Sequence, residues 1–305
     1  MKRRAAWVCG PLAAAGVVLC AAQGRADEAP SRAARIYDAA SPQVGRAPRG
    51  PQGPPVPILR PEILPLAERG SPRLSAAFLA GAQHDDAVAC PGDMVAVEGD
   101  YCPYVEQRCI RWIDFKSAMR CAEFAPSAPC RMKTTHKKFC IDRYEWPNRA
   151  GAIPQYMTSW KEARAACNAV GKRLCTDSEW TLACEGPERL PYPYGLKRDA
   201  NACNIDKPHD FPDPVKVYDE KTQAAELARL DRREPAGSHA QCVSAYGAVD
   251  MVGNVDEWVV NETGDPFRSG LKGGYWGPVK NRCRPMTVAH EETFRYYQIG
   301  FRCCS

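Results

Sequence analysis

Residues 159–184 read SWKEARAACNAVGKRLCTDSEWTLAC, and this stretch contains two helix starts in succession. Ser159 stands three residues before Glu162, and Thr176 stands three residues before Glu179. That spacing is typical of the capping box, in which the hydroxyl and the carboxylate each bind the other residue's backbone N–H group. The stretch therefore predicts two helices joined by a short connection.

Each predicted helix places one cysteine on its apolar face. Cys167 falls at helical spacing from Trp160, and Cys184 falls at helical spacing from Trp180. We expect both cysteines to lie in the core as bridge partners of distant strands, rather than on the surface as free thiols. The remaining sequence from Cys90 onward alternates short apolar segments with Gly, Pro and Asn turns, which predicts an α+β domain with low regular secondary structure.

The first 26 residues have the layout of a secretory signal peptide. Basic residues 2–4 precede an apolar run over 5–22, and small residues follow at a candidate cleavage site over 24–26. A transmembrane anchor is the alternative, but the run is only about 18 residues long and contains two glycines and a proline. We therefore predict cleavage, a secreted or periplasmic location, and no transmembrane segment in the mature protein.

Removal of residues 1–26 changes what the composition means. The 305 residues include 16 cysteines and 27 prolines and carry a formal net charge of +5. Cleavage removes four positive charges and two cysteines, which leaves a chain near +1 with fourteen cysteines. A nearly neutral chain argues against nucleic acid as a partner, and an even cysteine count in an oxidising compartment favours disulfides. Nine prolines between positions 41 and 72 predict that residues 27–85 form a disordered linker rich in Pro, Ala and Arg.

Six segments resemble the formylglycine-generating enzyme family, also called sulfatase-modifying factor, in the family's order and at near-family spacing. They are IDRYEWPN (141–148), the 159–184 stretch, YPYG (192–195), YGAVDMVGNVDEWV (246–259), LKGGYW (271–276) and GFRC (300–303). The resemblance covers residues 90–304 and implies the family's variant of the C-type-lectin-like fold. The cysteine-dense residues 100–130 form an N-terminal insertion that is not part of the family's common pattern.

The resemblance also implies two core disulfides. Carried over to this sequence, they join Cys167 to Cys303 and Cys184 to Cys283. A bridge between Cys203 and Cys242 is a further hypothesis, and no pairing follows for the remaining cysteines.

The chemistry that the resemblance implies does not carry over intact. The family's oxidase converts a substrate cysteine to formylglycine and holds copper(I) between two thiolates that follow a Gly-Gly-Ser turn. Here residues 273–275 read Gly-Gly-Tyr, and Pro278 holds the position of the first copper cysteine. Cys283 aligns either with the second copper cysteine or with the structural bridge to Cys184, which we favour. Asp256 also replaces an aromatic residue of the GNVWEW-type motif, so we expect no copper-dependent oxidation and assign no catalytic residue.

This sequence retains more of the calcium ligands that the resemblance implies than of the copper ligands. The family binds calcium through carboxylate, amide and carbonyl oxygens, which suit a hard cation. The first implied site comprises Asp250, the carbonyls of Gly253 and Val255, and Glu257. The second implied site comprises Asn204, the carbonyl of Ile205, and Asp231. Ordinary turns with solvated acidic side chains are the alternative interpretation.

Two functions remain open from the sequence. The first is a calcium-stabilised, non-catalytic binding or structural module with a protein, peptide or glycan ligand. The second is a divergent oxygen-dependent oxidoreductase of the same family, acting on a protein or small-molecule substrate. For that second function, His290, Glu291 and Glu292 are candidates for an iron or zinc site, although a solvated loop is the interpretation that we favour for a lone histidine beside acidic residues.

Overall fold

The computed structural model of the protein describes residues 89–305. The predicted signal peptide (1–26) and the predicted linker (27–85) lie outside these residues. Within residues 89–305, no helix has both the length and the apolar character needed to cross a membrane.

Short strands outnumber helices in the described part of the chain, as the sequence predicts for an α+β domain. The elements in chain order are β1 (Met94–Tyr101), β2 (Cys109–Trp112), β3 (Cys121–Phe124), β4 (Thr135–Asp142), α1 (Trp160–Ala169), β5 (Arg173–Leu174), α2 (Asp177–Glu185), α3 (Gln223–Leu230), β6 (Asp256–Val260), β7 (Ser269–Lys272), β8 (Met286–Thr287), β9 (Ile299–Phe301) and β10 (Cys303–Cys304). They form two four-stranded sheets, ordered β1-β4-β10-β5 and β8-β7-β6-β9, and the separate pair β2-β3. Strands β9 and β10 follow each other closely in the chain and belong to different sheets, so the C-terminal segment links the two sheets.

Both predicted capping boxes are present. The Ser159 hydroxyl accepts a hydrogen bond from the Glu162 N–H group, and the Glu162 carboxylate accepts one from the Ser159 N–H group. Thr176 and Glu179 form the same pair of bonds at the start of α2. Helices α1 and α2 therefore begin where the local sequence predicts. Helix α3 has no such bond at its first residue, and the sequence analysis did not identify it.

Hydrophobic clusters hold these elements together. Helix α2 packs through Trp180 against β1 and β4, and helix α1 packs through Trp160 against β6, β7 and β9. A third cluster joins Leu227 and Leu230 of α3 to Tyr275, Trp276 and Tyr297. Burial of these large apolar side chains is the dominant favourable contribution to folding.

Seven disulfides reinforce the fold and include all fourteen cysteines of residues 89–305. The pairs are Cys90–Cys140, Cys102–Cys130, Cys109–Cys121, Cys167–Cys303, Cys175–Cys304, Cys184–Cys283 and Cys203–Cys242. The fourth, sixth and seventh are the three pairs named in the sequence analysis. The Cys102–Cys130 and Cys109–Cys121 bridges lie in the cysteine-dense insertion, where the second bridge links β2 to β3.

Candidate functional site

A buried arginine near the C-terminus organises the region where the first calcium site is predicted. Arg302 is fully buried, and its guanidinium group donates two hydrogen bonds of 2.7 Å to the Glu257 carboxylate. Glu257 also accepts a 2.7 Å hydrogen bond from the indole N–H group of Trp180. Arg302 donates further bonds to the backbone carbonyls of Val249 and Asp250. This ion pair therefore joins β6, α2 and the turn that precedes the GNVDEW segment.

Two more buried acids interact with this pair. The Glu145 carboxylate accepts hydrogen bonds from Asn254 Nδ2 at 2.7 Å and from the Val255 N–H group at 3.1 Å. Burial raises the pKa of Glu145 well above its ordinary value, and the charges of Asp250 and Glu257 raise that pKa further. Burial also raises the pKa of Asp250, whose carboxylate accepts a 2.7 Å bond from the Gly237 N–H group. When all are ionised, three buried carboxylates thus share one buried arginine.

Asn204, predicted for the second calcium site, lies beside this acidic region. Its Nδ2 donates to the Arg232 carbonyl at 2.9 Å and to Asn254 Oδ1 at 3.0 Å, and its own carbonyl accepts from the Asn254 N–H group at 3.0 Å. Its Oδ1 atom is buried and has no hydrogen-bond partner. Gly253 approaches so closely that an added Cβ atom would lie 2.3 Å from the Asn204 carbonyl oxygen. The two predicted calcium sites therefore meet where Gly253 and Asn254 contact Asn204.

Asp231, the last residue of the second predicted calcium site, forms an ion pair with the nearby Arg233. Its two carboxylate oxygens accept hydrogen bonds of 2.8 and 2.6 Å from the Arg233 guanidinium group. This bidentate pair keeps the pKa of Asp231 below its ordinary value against the opposing effect of burial. Asn204 therefore supplies the uncommitted oxygen at this end, and Asp231 does not.

The Gly-Gly turn forms the region where the family's copper chemistry would take place. Gly273 and Gly274 both have positive φ angles, and a Cβ atom on Gly274 would lie 2.7 Å from the Asn281 amide. Glycine is required at this turn because other residues rarely adopt that conformation and because no side chain would fit. Cys283 is bonded to Cys184 and is therefore not a free thiol.

Tyr275 and Trp276 close the turn with aromatic packing. Their rings meet edge to face with centroids 5.5 Å apart, and Tyr297 packs against both. The Tyr275 hydroxyl also lies 3.3 Å from His209 Nδ1. An aromatic cluster therefore fills the position after the turn, where the family has serine.

Asp256, the residue that replaces an aromatic side chain in the GNVDEW segment, lies next to this turn. It begins β6, its backbone N–H group donates to the Gln298 carbonyl at 2.9 Å, and its partly buried carboxylate faces the Gly274 N–H group and the Gln298 side chain. Burial of the carboxylate raises its pKa to about 7, although these two groups lower it slightly. Gln298 is buried and its Oε1 atom has no hydrogen-bond partner. The turn is therefore lined by a carboxyl group that is partly protonated at neutral pH.

We expect the Asp256→Asn substitution to remove a fall in stability between about pH 4 and pH 7. An Asp pKa that folding raises from 3.8 to about 7 means that the folded state binds the proton more tightly than the unfolded state. Stability from this group is therefore fully present below pH 4 and is lost as the pH rises towards 7. Urea unfolding of the native protein and the variant at pH 4.5 and 7.5 measures the difference. Glu188→Gln, a change at an exposed position, is the control, and an equal pH dependence in native protein and Asp256→Asn would contradict the assignment.

The His290 segment forms ordinary packing contacts. The His290 ring stacks on Phe294 with centroids 4.0 Å apart, and Glu292 Oε1 accepts a bond from the Arg268 N–H group. Thr293 donates to Glu291. Across residues 89–305, no three His, Cys, Asp or Glu side chains converge in an arrangement that could hold a metal ion. Neither predicted calcium site contains three such side chains, so this finding concerns the iron or zinc alternative.

The sequence analysis did not identify Glu145, Asn254 or Arg302 as members of the site. All three lie inside segments that it quoted, IDRYEWPN, GNVDEW and GFRC. Only GFRC places its polar residue in an otherwise apolar stretch, and IDRYEWPN and GNVDEW each contain several polar residues among which nothing singles out Glu145 or Asn254. Their convergence depends on tertiary contacts between positions more than a hundred residues apart in the chain.

Comparisons with known proteins identify similar chains. Residues 95–305 match the family described as "Sulfatase-modifying factor enzyme 1-like domain". The bovine (Bos taurus) "Inactive C-alpha-formylglycine-generating enzyme 2" is 28% identical over 201 residues, which cover 60% of this chain and 63% of that protein. The "Formylglycine-generating enzyme" of Thermomonospora curvata is 27% identical over 164 residues, half of each chain. The crystal structure of CarF aligns with a TM-score of 0.46 and 18% identity, over 70% of this chain and 98% of that one. This chain therefore spans 50–63% of the length of these two curated relatives.

Proposed function

The chain belongs to the sulfatase-modifying factor enzyme 1-like domain family, and on that premise we propose that it is a secreted, non-catalytic binding or structural module. The family resemblance and the fold class predicted from the sequence are thereby confirmed. Its proposed ligand is a protein, peptide or glycan, and its proposed stabilising ion is calcium.

The observation that carries the non-catalytic proposal is the state of the cysteines. All fourteen cysteines of residues 89–305 lie in disulfides, and Pro278 stands where the family has its first copper thiolate. Copper(I) is bound by soft thiolate and thioether ligands, and a disulfide sulfur is not a thiolate. The bovine relative, whose printed name calls it inactive, agrees with this proposal. Seven disulfides also support secretion, because disulfides persist in oxidising compartments.

The decisive experiment is an anaerobic copper(I) titration of the mature protein, followed by incubation with a Cys-x-Pro-x-Arg peptide in air. We expect no stoichiometric tight copper binding, and we expect the peptide cysteine to retain its mass. A formylglycine-generating enzyme assayed in parallel is the positive control. Tight stoichiometric copper together with an aldehyde product would overturn the non-catalytic proposal in favour of the oxidoreductase alternative.

Calcium binding is supported by charge and by an uncommitted oxygen. Glu145, Asp250 and Glu257 place up to three buried negative charges around Arg302, and a divalent cation would offset the excess. The buried Asn204 Oδ1 atom lacks a partner and is the kind of hard oxygen that calcium prefers. Glu257 is bound by Arg302 and Trp180, so it would contribute negative charge to the site rather than an uncommitted oxygen. Asn204 and Asp250 would therefore hold the ion with neighbouring carbonyls, and the ion would stabilise the acidic region.

Calcium is expected to raise the melting temperature. At a free concentration about 100 times the dissociation constant, the gain is about 2.7 kcal/mol, or roughly 5–10 °C for a domain of this size. Differential scanning calorimetry in calcium and in chelator measures the shift. We expect Asn204→Ala and Asp250→Asn to lose most of the shift, whereas Asn201→Ala, at an exposed position, should keep it. An unchanged melting temperature on chelation would show that calcium is not bound.

A further inference from the structure

A groove lined by cationic side chains lies on the outer face of α1, away from the Gly-Gly turn. Two adjoining cavities of about 360 and 330 Å³ share Trp160, Arg164, Asn168 and Arg268 in their walls. Lys161, Ala165 and Glu292 complete the wall of the larger cavity. We call this feature the Arg164–Arg268 groove. It combines residues from α1 with a residue that directly precedes β7.

Two arginines of the groove, Arg164 and Arg268, lie beside the Trp160 ring without pairing with a carboxylate. The guanidinium carbons of Arg164 and Arg268 lie 5.6 and 5.7 Å from the Trp160 ring centroid, so they are at most 11.3 Å apart, the sum of these distances. Both side chains are exposed, and within residues 89–305 neither forms an ion pair. Stacking on an indole ring restricts a guanidinium group while its N–H groups remain available. The groove therefore presents guanidinium N–H groups that are open to solvent and free to bind an anionic ligand.

The single acidic side chain in the wall of the groove does not neutralise it. Glu292 Oε1 accepts a hydrogen bond from the Arg268 backbone N–H group, and Glu292 forms no ion pair with a groove cation within the described residues. Lys161, Arg164 and Arg268 leave a net charge of +2 against this one carboxylate. Arg173, which lines the smaller cavity, is bound to both oxygens of Glu179 at 2.7 Å. Arg164 and Arg268 therefore differ from this third arginine of the groove, because neither has a carboxylate partner within residues 89–305.

We propose that the Arg164–Arg268 groove binds a small, sugar-sized molecule through an oxyanion group, either a carboxylate, a sulfate or a phosphate. Guanidinium groups bind these oxyanions through paired, charge-assisted hydrogen bonds. The cavity volumes lie at the lower end of the range of about 300–1,000 Å³ that small-molecule sites occupy. Asn168 adds an amide that donates to and accepts from a hydroxyl-bearing ligand. This proposal is independent of the copper and calcium proposals, because it uses none of their residues.

Isothermal titration calorimetry of the full mature chain tests the proposal, with sodium glucuronate, sulfate and phosphate as separate probes at constant ionic strength. We expect saturable binding of at least one probe. Arg164→Gln and Arg268→Gln should each weaken that binding about tenfold or more, since each removes charged hydrogen bonds. Comparison of the three probes then identifies which oxyanion the groove prefers.

Arg108→Gln is the matched control, because Arg108 is an exposed arginine outside the groove and its loss changes the net charge equally. It should leave the affinity unchanged. Absence of saturable binding by all three probes would show that the two arginines only cover the Trp160 ring, and would overturn the proposal. Equal weakening by all three substitutions would overturn it as well, because it would indicate a general charge effect.

Discussion

Removal of the Cys167–Cys303 and Cys175–Cys304 bridges together is expected to cost about 1 kcal/mol more stability than the two single removals combined. The bridges span 136 and 129 residues and end at adjacent cysteines, so they close nearly the same loop. When one is absent, the other still closes the long loop, and only a ring of about ten residues is opened. The chain-entropy relation then gives about 2–3 kcal/mol for each single removal.

The double removal opens the long loop as well. The Cys184–Cys283 bridge lies within that loop and shortens its effective length, so the same relation gives about 6–7 kcal/mol for both bridges. That loss is comparable with the whole stability of many domains. Urea unfolding of the two Cys→Ala pairs and of the quadruple variant, followed by circular dichroism without reductant, measures the three costs. The quadruple variant should be largely unfolded at 37 °C.

The Cys109–Cys121 bridge provides the control. It spans only 12 residues within the β2–β3 pair, where no other bridge duplicates its loop. Its removal together with that of Cys167–Cys303 should therefore give additive costs, within about 0.5 kcal/mol. If the stability costs of removing Cys167–Cys303 and Cys175–Cys304 also add to within about 0.5 kcal/mol, the shared-loop explanation is wrong.

The parts of the fold that the sequence could predict are those with local signals. Ser159 and Thr176 carry their helix-start signal within four residues, and both capping boxes are present in the structure. Helix α3 lacks a capping bond, and its stability derives from the packing of Leu227 and Leu230 against the aromatic cluster. Such packing depends on residues distant in sequence, so no local pattern revealed it.

The same distinction between local signals and tertiary contacts applies to the candidate sites. The replacement at Pro278 is a property of single positions and could be read directly from the sequence. The acidic region around Arg302 and the Arg164–Arg268 groove could not, because each combines side chains from separate elements. In the first case β9 and β10 bring a C-terminal arginine next to β6, and in the second a loop before β7 brings an arginine beside α1. Residue type alone does not distinguish these arginines from the paired ones on the surface.

Arg302→Met is expected to destabilise the protein by about 3–5 kcal/mol at pH 7 in the presence of chelator. Methionine retains much of the buried volume but leaves the Glu257 carboxylate buried without its cation. Removal of one partner of a buried ion pair typically has a cost of this size. Glu145 and Asp250 increase the cost, because Arg302 also lowers the pKa of each against the effect of burial.

The cost should shrink as the pH falls, which separates this electrostatic effect from a loss of packing. Loss of Arg302 raises the pKa values of the buried acids further, so the folded variant binds protons more tightly than its unfolded state. Its stability therefore rises, relative to the native protein, as the pH falls through those raised pKa values.

Urea unfolding at pH 7 and pH 5 measures this change, and adding Glu257→Gln to Arg302→Met should recover part of the loss at pH 7. Arg173→Met, which removes an arginine whose side chain is 44% exposed from its pair with Glu179, should cost only about 0–1 kcal/mol at either pH. An Arg302→Met cost that is the same at both pH values and is not reduced by Glu257→Gln would show that Arg302 acts by packing alone.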